Sequence, residues 1–215
     1  MTAIFFDVDG TLFNTQADLA ATVNHTRREL GLNELSEAEV VQHVGQGARY
    51  LLTHAIPERA DDFDRLWEIF KSHYAEHCVE KLTPYPGVIE ILQELKARDF
   101  KLGINTNKPN FAVKLILEKF GLTELFEGAV VAGGDGIPLK PDPESLQACA
   151  RLMHHTLSPE DWMVGDSWTD LKAAENAGIR SIFCTFGFGR LKDATYTEKV
   201  DAFSEIKKVL CSPSK

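Results

Sequence analysis

Apolar residues along the chain recur in two alternating rhythms. Short, largely apolar runs appear at Ala3-Ile4-Phe5-Phe6, Lys101-Leu102-Gly103-Ile104, Ala129-Val130-Val131, Trp162-Met163-Val164 and Ser181-Ile182-Phe183-Cys184. Such runs suit strands of a parallel sheet covered on both faces. Between them the apolar positions return every three or four residues: Val88, Ile91, Leu92 and Leu95 form one stripe, and Val113, Ile116, Leu117 and Phe120 another. Pro143 to Leu157 and Trp168 to Ala177 predict two further helices, the second closed by Gly178 at its C′ position. Strand and helix in alternation predict an α/β fold, a doubly wound, Rossmann-like parallel sheet with right-handed crossovers. Ligands of such sheets bind beyond the carboxyl ends of the strands.

One stretch breaks the alternation. From Gln16 to about Lys81 only helical periods occur: Leu19, Val23, Thr26 and Leu30 in one segment, Phe63, Leu66, Trp67, Phe70 and Tyr74 in another. Ser36 and Glu39 have capping-box spacing, and Pro57 interrupts the pattern between two helices. The expectation is a small all-helical cap domain over 16–81, inserted in an α/β core made of 1–15 and 82–215. The alternative is that these helices pack directly on the sheet as one larger domain. The return through Leu82-Thr83-Pro84-Tyr85-Pro86-Gly87 is stiffened by two prolines, which suits a hinge.

Composition narrows the class. The 215 residues carry 23 Lys+Arg and 32 Asp+Glu, a formal charge of −9. That field repels phosphate backbones and anionic lipid, so neither nucleic acid nor a membrane surface is an expected partner. No stretch approaches eighteen uncharged apolar residues, and the N-terminus lacks a basic, signal-like segment. Cys78, Cys149, Cys184 and Cys211 show no metal-binding spacing and are expected as free thiols of a cytoplasmic protein. The tail from Cys211 to Lys215 is expected to fray.

The acids gather at strand ends. Asp7-Val8-Asp9-Gly10-Thr11 follows the first strand directly, and residues two apart in an extended segment share a face. The second strand runs into Asn105-Thr106-Asn107-Lys108, the third is followed by Lys140-Pro141-Asp142-Pro143, and the fourth by Gly165-Asp166-Ser167-Trp168-Thr169-Asp170. Each element by itself reads as a cap or turn. Together they deliver acids, a hydroxyl and a lysine to one rim. His154-His155 reads as a helix-surface pair, and Gly187-Phe188-Gly189 as a loop near the rim, not a nucleotide fingerprint.

These four segments resemble the four motifs of the haloacid dehalogenase-like hydrolase superfamily, and the helical insert resembles its subfamily-I cap. Val44-Gly45-Gln46-Gly47-Ala48-Arg49, Pro84-Tyr85-Pro86-Gly87-Val88 and Thr106-Asn107-Lys108 are similar to segments of phosphoglycolate phosphatases. The resemblance implies Mg²⁺ held by Asp7, by the main-chain carbonyl of Asp9 and by Asp166, with Asp170 orienting a water or approaching the ion. It implies Asp7 as nucleophile, Asp9 as acid and base, Thr106 holding phosphate oxygens, and Lys140 neutralising them. Candidate substrate contacts are Thr106, Asn107, Lys108, Gly47 and Arg49. Lys108 and Arg49 each carry a solvated alternative. The implied substrate is a small phosphorylated metabolite, 2-phosphoglycolate first, handled by a monomer or weak homodimer.

Asp9 with Asp166 and Asp170 indicates phosphoryl transfer rather than dehalogenation. The absence of lysine between Gln16 and Lys71 weakens a phosphonate hydrolase of the Schiff-base type. A phosphomutase, a phosphatase of sugars, nucleotides or pyrophosphate, and a non-catalytic phosphate binder remain open at this stage.

Overall fold

Ile4, Phe5 and Phe6 have no exposed surface in the computed structural model, which describes residues 1–211. They lie in β1 (Ala3–Phe6), near the middle of a six-stranded parallel sheet ordered β5-β4-β1-β6-β7-β8. The other strands are β4 (Lys101–Pro109), β5 (Val130–Gly133), β6 (Trp162–Gly165), β7 (Arg180–Cys184) and β8 (Glu198–Val200). A separate two-stranded ribbon pairs β2 (Phe13–Asn14) antiparallel with β3 (Thr83–Pro84).

The alternation of β1 explains its double burial. Ile4 and Phe6 join a cluster with Val88, Leu92 and Leu95 of α5 (Val88–Ala97) and Val113 and Ile116 of α6 (Asn110–Lys119). Ala3 and Phe5 face the opposite cluster, with Leu146 and Cys149 of α7 (Glu144–Leu152) and Ala173 and Ala174 of α8 (Trp168–Ala177). The strand is therefore apolar throughout because both faces are covered. The chain fills one side of β1 with β4 and β5, then crosses to place β6 on the other side. That reversal opens a crevice beyond the carboxyl ends of β1 and β6.

Residues 16–77 form α1 (Gln16–Glu29), α2 (Glu37–Val41), α3 (Ala48–Ala55) and α4 (Phe63–His77). They surround their own hydrophobic cluster, which includes Leu19, Val23, Val40, Leu52, Leu66, Phe70 and Tyr74. Ala112 of α6 completes that cluster, so this layer also leans on the core. Ser36 and Glu39 form the expected capping box. The two crossings between layers are tied by the β2–β3 ribbon and by Asp18, whose carboxylate accepts from the N–H groups of Lys81 (3.0 Å) and Leu82 (2.9 Å).

Three local expectations change. The helix expected to reach Leu157 stops at Leu152, because the chain turns back through His154 in a left-handed conformation (φ 49°). His154 and His155 are thus not a helix-surface pair, and His155 Nε2 lies 2.8 Å from the buried carboxylate of Asp161. β8 was not anticipated, since Glu198-Lys199-Val200 is a charged edge strand with only its valine buried. The cysteines are free as expected: Cys78, Cys149 and Cys184 are buried and Cys211 half-buried. Ser212 to Lys215, the rest of the tail expected to fray, lie outside the described residues. Among the described residues no helix is long and apolar enough to cross a membrane.

Candidate active site

The site is assembled by strands that stop at the same level. Asp7 is the first residue after β1, and its N–H still donates to Val164 of β6 at 3.0 Å. Gly10, with φ 77°, turns the chain so sharply that a Cβ there would fall 1.8 Å from Asp166 Oδ2. Only glycine fits this approach. Asp166 follows the end of β6, and Ser167 caps α8. Asp170 closes the capping box, its Oδ2 accepting from the Ser167 N–H at 3.0 Å. The cap therefore folds Asp170 back toward the strand ends.

As a result Asp7, Asp166 and Asp170, all buried, each present a carboxylate oxygen within 4.8 Å of the others. Lys140 is the counter-charge. Its Nζ donates to Asp170 Oδ1 at 2.5 Å and to the Asn105 carbonyl at 2.6 Å, and lies 3.0 Å from Asp7 Oδ1. That last approach is ionic without hydrogen-bond geometry, which leaves the buried Asp7 Oδ1 without a donor. Two carboxylates at such separations repel by about 4 kcal/mol at an effective dielectric of 20.

Burial, then repulsion from Asp170 and Asp7, pushes Asp166 well above the ordinary carboxylate range, only partly offset by main-chain donors. Burial raises Asp170 as well, with Lys140 pulling against it. Burial alone would lower Lys140, but Asp170 and Asp7 outweigh it and hold the ammonium charged. Three buried carboxylates sharing one ammonium, with an acceptor oxygen left over, form an all-oxygen donor set that suits a hard divalent cation such as Mg²⁺. The carboxylates of Asp7 and Asp166 fit that role, and Asp170 adjoins them.

The remaining candidates fall into two groups. Asp7, Asp9, Thr106, Asn107, Lys108 and Gly47 line one cleft, walled on the helical side by Leu19, Val44, Leu51 and Phe70. Thr106 is buried, its Oγ1 accepting from the Lys108 N–H at 3.2 Å. Asn107 acts as a strut: its amide donates to the carbonyls of Gly45 and Lys140, and its Oδ1 accepts from the Lys140 N–H. Lys108 is only 4% exposed, which removes the solvated alternative. Its Nζ donates to Asp9 Oδ1 at 2.7 Å, and Thr15 Oγ1 donates to the same oxygen at 2.7 Å. Arg49 stands apart from this cleft. It is exposed, with its guanidinium 3.7 Å from the ring centroid of Phe63, in a neighbouring groove lined by Trp67, Ile137 and Leu139.

Sequence reasoning missed two contributors. The N–H groups of Phe188 and Gly189 donate to Asp166 Oδ2 at 2.9 and 2.7 Å, so the Gly-Phe-Gly loop is the brace of that carboxylate. A glycine pair after a late strand was the available signal, and it marks close backbone approach. Tyr74 was placed in the helical core by periodicity alone, yet its hydroxyl reaches Lys108 Nζ at 2.5 Å.

The sequence signature of haloacid dehalogenase-like hydrolases matches residues 4–184. The chain belongs to that family. Among curated members it is 37% identical to phosphoglycolate phosphatase of Agrobacterium fabrum over 188 residues, 85% of this chain and 80% of that protein. It is also 37% identical to phosphoglycolate phosphatase of Vibrio cholerae over 195 residues, 86% and 84% of the two chains. The crystal structure of a predicted phosphoglycolate phosphatase from Haemophilus somnus 129pt superposes with a TM-score of 0.88 at 30% identity, covering 97% of each chain. In this haloacid dehalogenase-like hydrolase the acids that follow β1 and β6 meet at one point.

Proposed function

We propose that this hydrolase uses Mg²⁺ and an aspartyl-phosphate on Asp7 to cleave a small, carboxylated phosphate monoester, with 2-phosphoglycolate the best single substrate. Its class, a phosphoric monoester hydrolase, rests on the family and on the named relatives at 37% identity. The observation that carries the finer reading is the convergence of Asp7, Asp166 and Asp170 around Lys140, with Asp7 opening into the cleft that Leu19, Val44, Leu51 and Phe70 line on the helical side.

Mg²⁺ at these carboxylates would supply the positive charge that offsets repulsion between Asp7 and a phosphate dianion. The Asp7 carboxylate forms a bond to phosphorus as the ester P–O bond breaks. Asp9 gives a proton to the departing alkoxide and later takes one from the water that hydrolyses the aspartyl-phosphate. Thr106 and the adjoining main-chain N–H groups hold the transferring oxygens, and Lys140 fixes Asp7 while neutralising developing charge. The helices over 16–81 act as a cap on this cleft. Their apolar wall excludes water, and the ribbon of β2 and β3 is the hinge on which they move.

Among the described residues lining the cleft, Lys108 carries the one formal positive charge, which favours a leaving group bearing a carboxylate. The test is a panel of phosphate esters that includes 2-phosphoglycolate, sugar phosphates, nucleotides and pyrophosphate, run with Mg²⁺ and with a chelator. The expected result is phosphate release that is greatest for 2-phosphoglycolate and lost with chelator. Turnover unchanged by chelator, or isomerised product in place of free phosphate, would overturn the reading.

A further inference from the structure

Tyr74 is fully buried in α4, where a phenylalanine would fill the same space without an oxygen to satisfy. It packs 5.0 Å from Phe70, which lines the cleft, and edge-on to Phe111 of α6 at 6.2 Å. A buried hydroxyl costs free energy unless it is hydrogen-bonded. Here the oxygen accepts from Lys108 Nζ at 2.5 Å, and the same nitrogen lies 5.0 Å from the ring centroid. Lys108 comes from β4, Asp9 from the loop after β1 and Tyr74 from the helical layer, so three separate segments meet at one ammonium.

The donor count gives this meeting a purpose. A lysine ammonium has three N–H donors. One goes to Asp9 and one to Tyr74, and Lys108 lines the cleft. Among the described residues the third donor has no protein acceptor. Two anchors at different angles fix where that donor points, whereas one anchor leaves a long side chain with most of its roughly 2 kcal/mol of rotamer entropy.

We propose that Tyr74 is a positioning residue for the leaving-group side of the site: its hydroxyl holds the Lys108 ammonium beside Asp9, where the free donor meets a carboxylate on the leaving group. This rests on the phosphatase reading above. It ties selection of the leaving group to the seating of α4, because Tyr74 reaches Lys108 only when that helix is packed on the core, where its ring meets Phe111 of α6. Burial by itself would lower the Lys108 pKa, but Asp9 and the Tyr74 hydroxyl more than compensate, so the ammonium keeps its charge in the dry cleft.

The test compares 2-phosphoglycolate with p-nitrophenyl phosphate, whose leaving group has no carboxylate and departs as a stabilised phenolate. In the full-length chain with Mg²⁺, Tyr74→Phe should lower kcat/KM for 2-phosphoglycolate about tenfold, mainly through KM, since the contact is made in ground and transition states alike. That loss should exceed the loss on p-nitrophenyl phosphate at least fivefold. Lys108→Met should give the same pattern more strongly, and adding Tyr74→Phe to it should bring little further selective loss. A purely structural role would depress both substrates equally, and equal losses, or none, would overturn the inference while leaving the phosphatase reading intact. A wild-type chain that hydrolyses neither ester would instead overturn the phosphatase reading and this inference with it.

Discussion

Replacing Gly187 with alanine would put a methyl carbon 2.3 Å from Cβ and Oδ2 of Asp166 and 2.4 Å from the Gly10 carbonyl oxygen. Gly187 does not occupy the left-handed region, so the perturbation is steric and not a backbone penalty. Ordinary contacts begin near 3.4 Å, so either Asp166 or the loop must retreat by about 1 Å. Retreat of the loop also withdraws the Phe188 and Gly189 N–H groups that hold Asp166 Oδ2. Losing groups that orient a metal ligand costs roughly 10–100-fold in metal affinity, about 1.4–2.7 kcal/mol. The assay is Mg²⁺ half-saturation of ester hydrolysis, paired with calorimetric Mg²⁺ titration and a melting curve in chelator to establish folding. A folded Gly187→Ala protein with wild-type Mg²⁺ affinity would refute the claim that this loop braces a metal-binding Asp166.

Three further outcomes are expected. Lys140→Met leaves Asp7 and Asp170 buried without their cation, and should cost about 3 kcal/mol in urea unfolding with chelator present; added Mg²⁺ should recover part of it, and equal losses with and without Mg²⁺ would contradict the site. Asp18→Ala removes the acceptor that fastens the Lys81 and Leu82 N–H groups across the linkers, for an expected loss of about 2–3 kcal/mol by denaturant titration, and a change under about 0.5 kcal/mol would show the clamp to be idle. His73 is lowered from 6.5 to about 4 by burial first, then by His25, His77 and Arg28, with Glu80 opposing. Its folded state takes up the proton later than the unfolded chain does, so stability is full above about pH 6.5 and falls as pH drops toward 4. Solvent screening at this half-exposed position limits the effect to about 1 kcal/mol. His73→Gln should flatten that part of the pH–stability curve, and an unchanged slope would count against the assignment.

Residues with a local cause were legible in the chain. Strand β1 could be read because four consecutive apolar residues suit only a doubly covered strand, and α8 because Ser167, Asp170 and Gly178 mark both of its ends. Asp7, Asp9 and Asp166 could be singled out because they follow strand runs, and Asp170 because it stands in the first turn of the helix that follows one. β8 could not, since an edge strand buries little and Glu198-Lys199 has no apolar signal. The early end of α7 depends on a turn at His154, a residue type with no strong preference for stopping a helix there.

The linear pattern determined the class of fold and the rim to which the acids belong, because hydrophobic period and strand ends are properties of neighbouring residues. The tertiary structure alone decided which groups touch. Lys108 looked as ready for solvent as for a site until Asp9, 99 positions away, and Tyr74, 34 positions away, were found on its ammonium. Gly187 and Gly189 looked like loop until Asp166 was found against them. Arg49 read equally as a substrate contact and as a solvated arginine, and only the tertiary structure seated it over Phe63. Such pairings join segments distant in sequence, and the free energy that selects them, burial set against charge, exists only once the chain has closed around them.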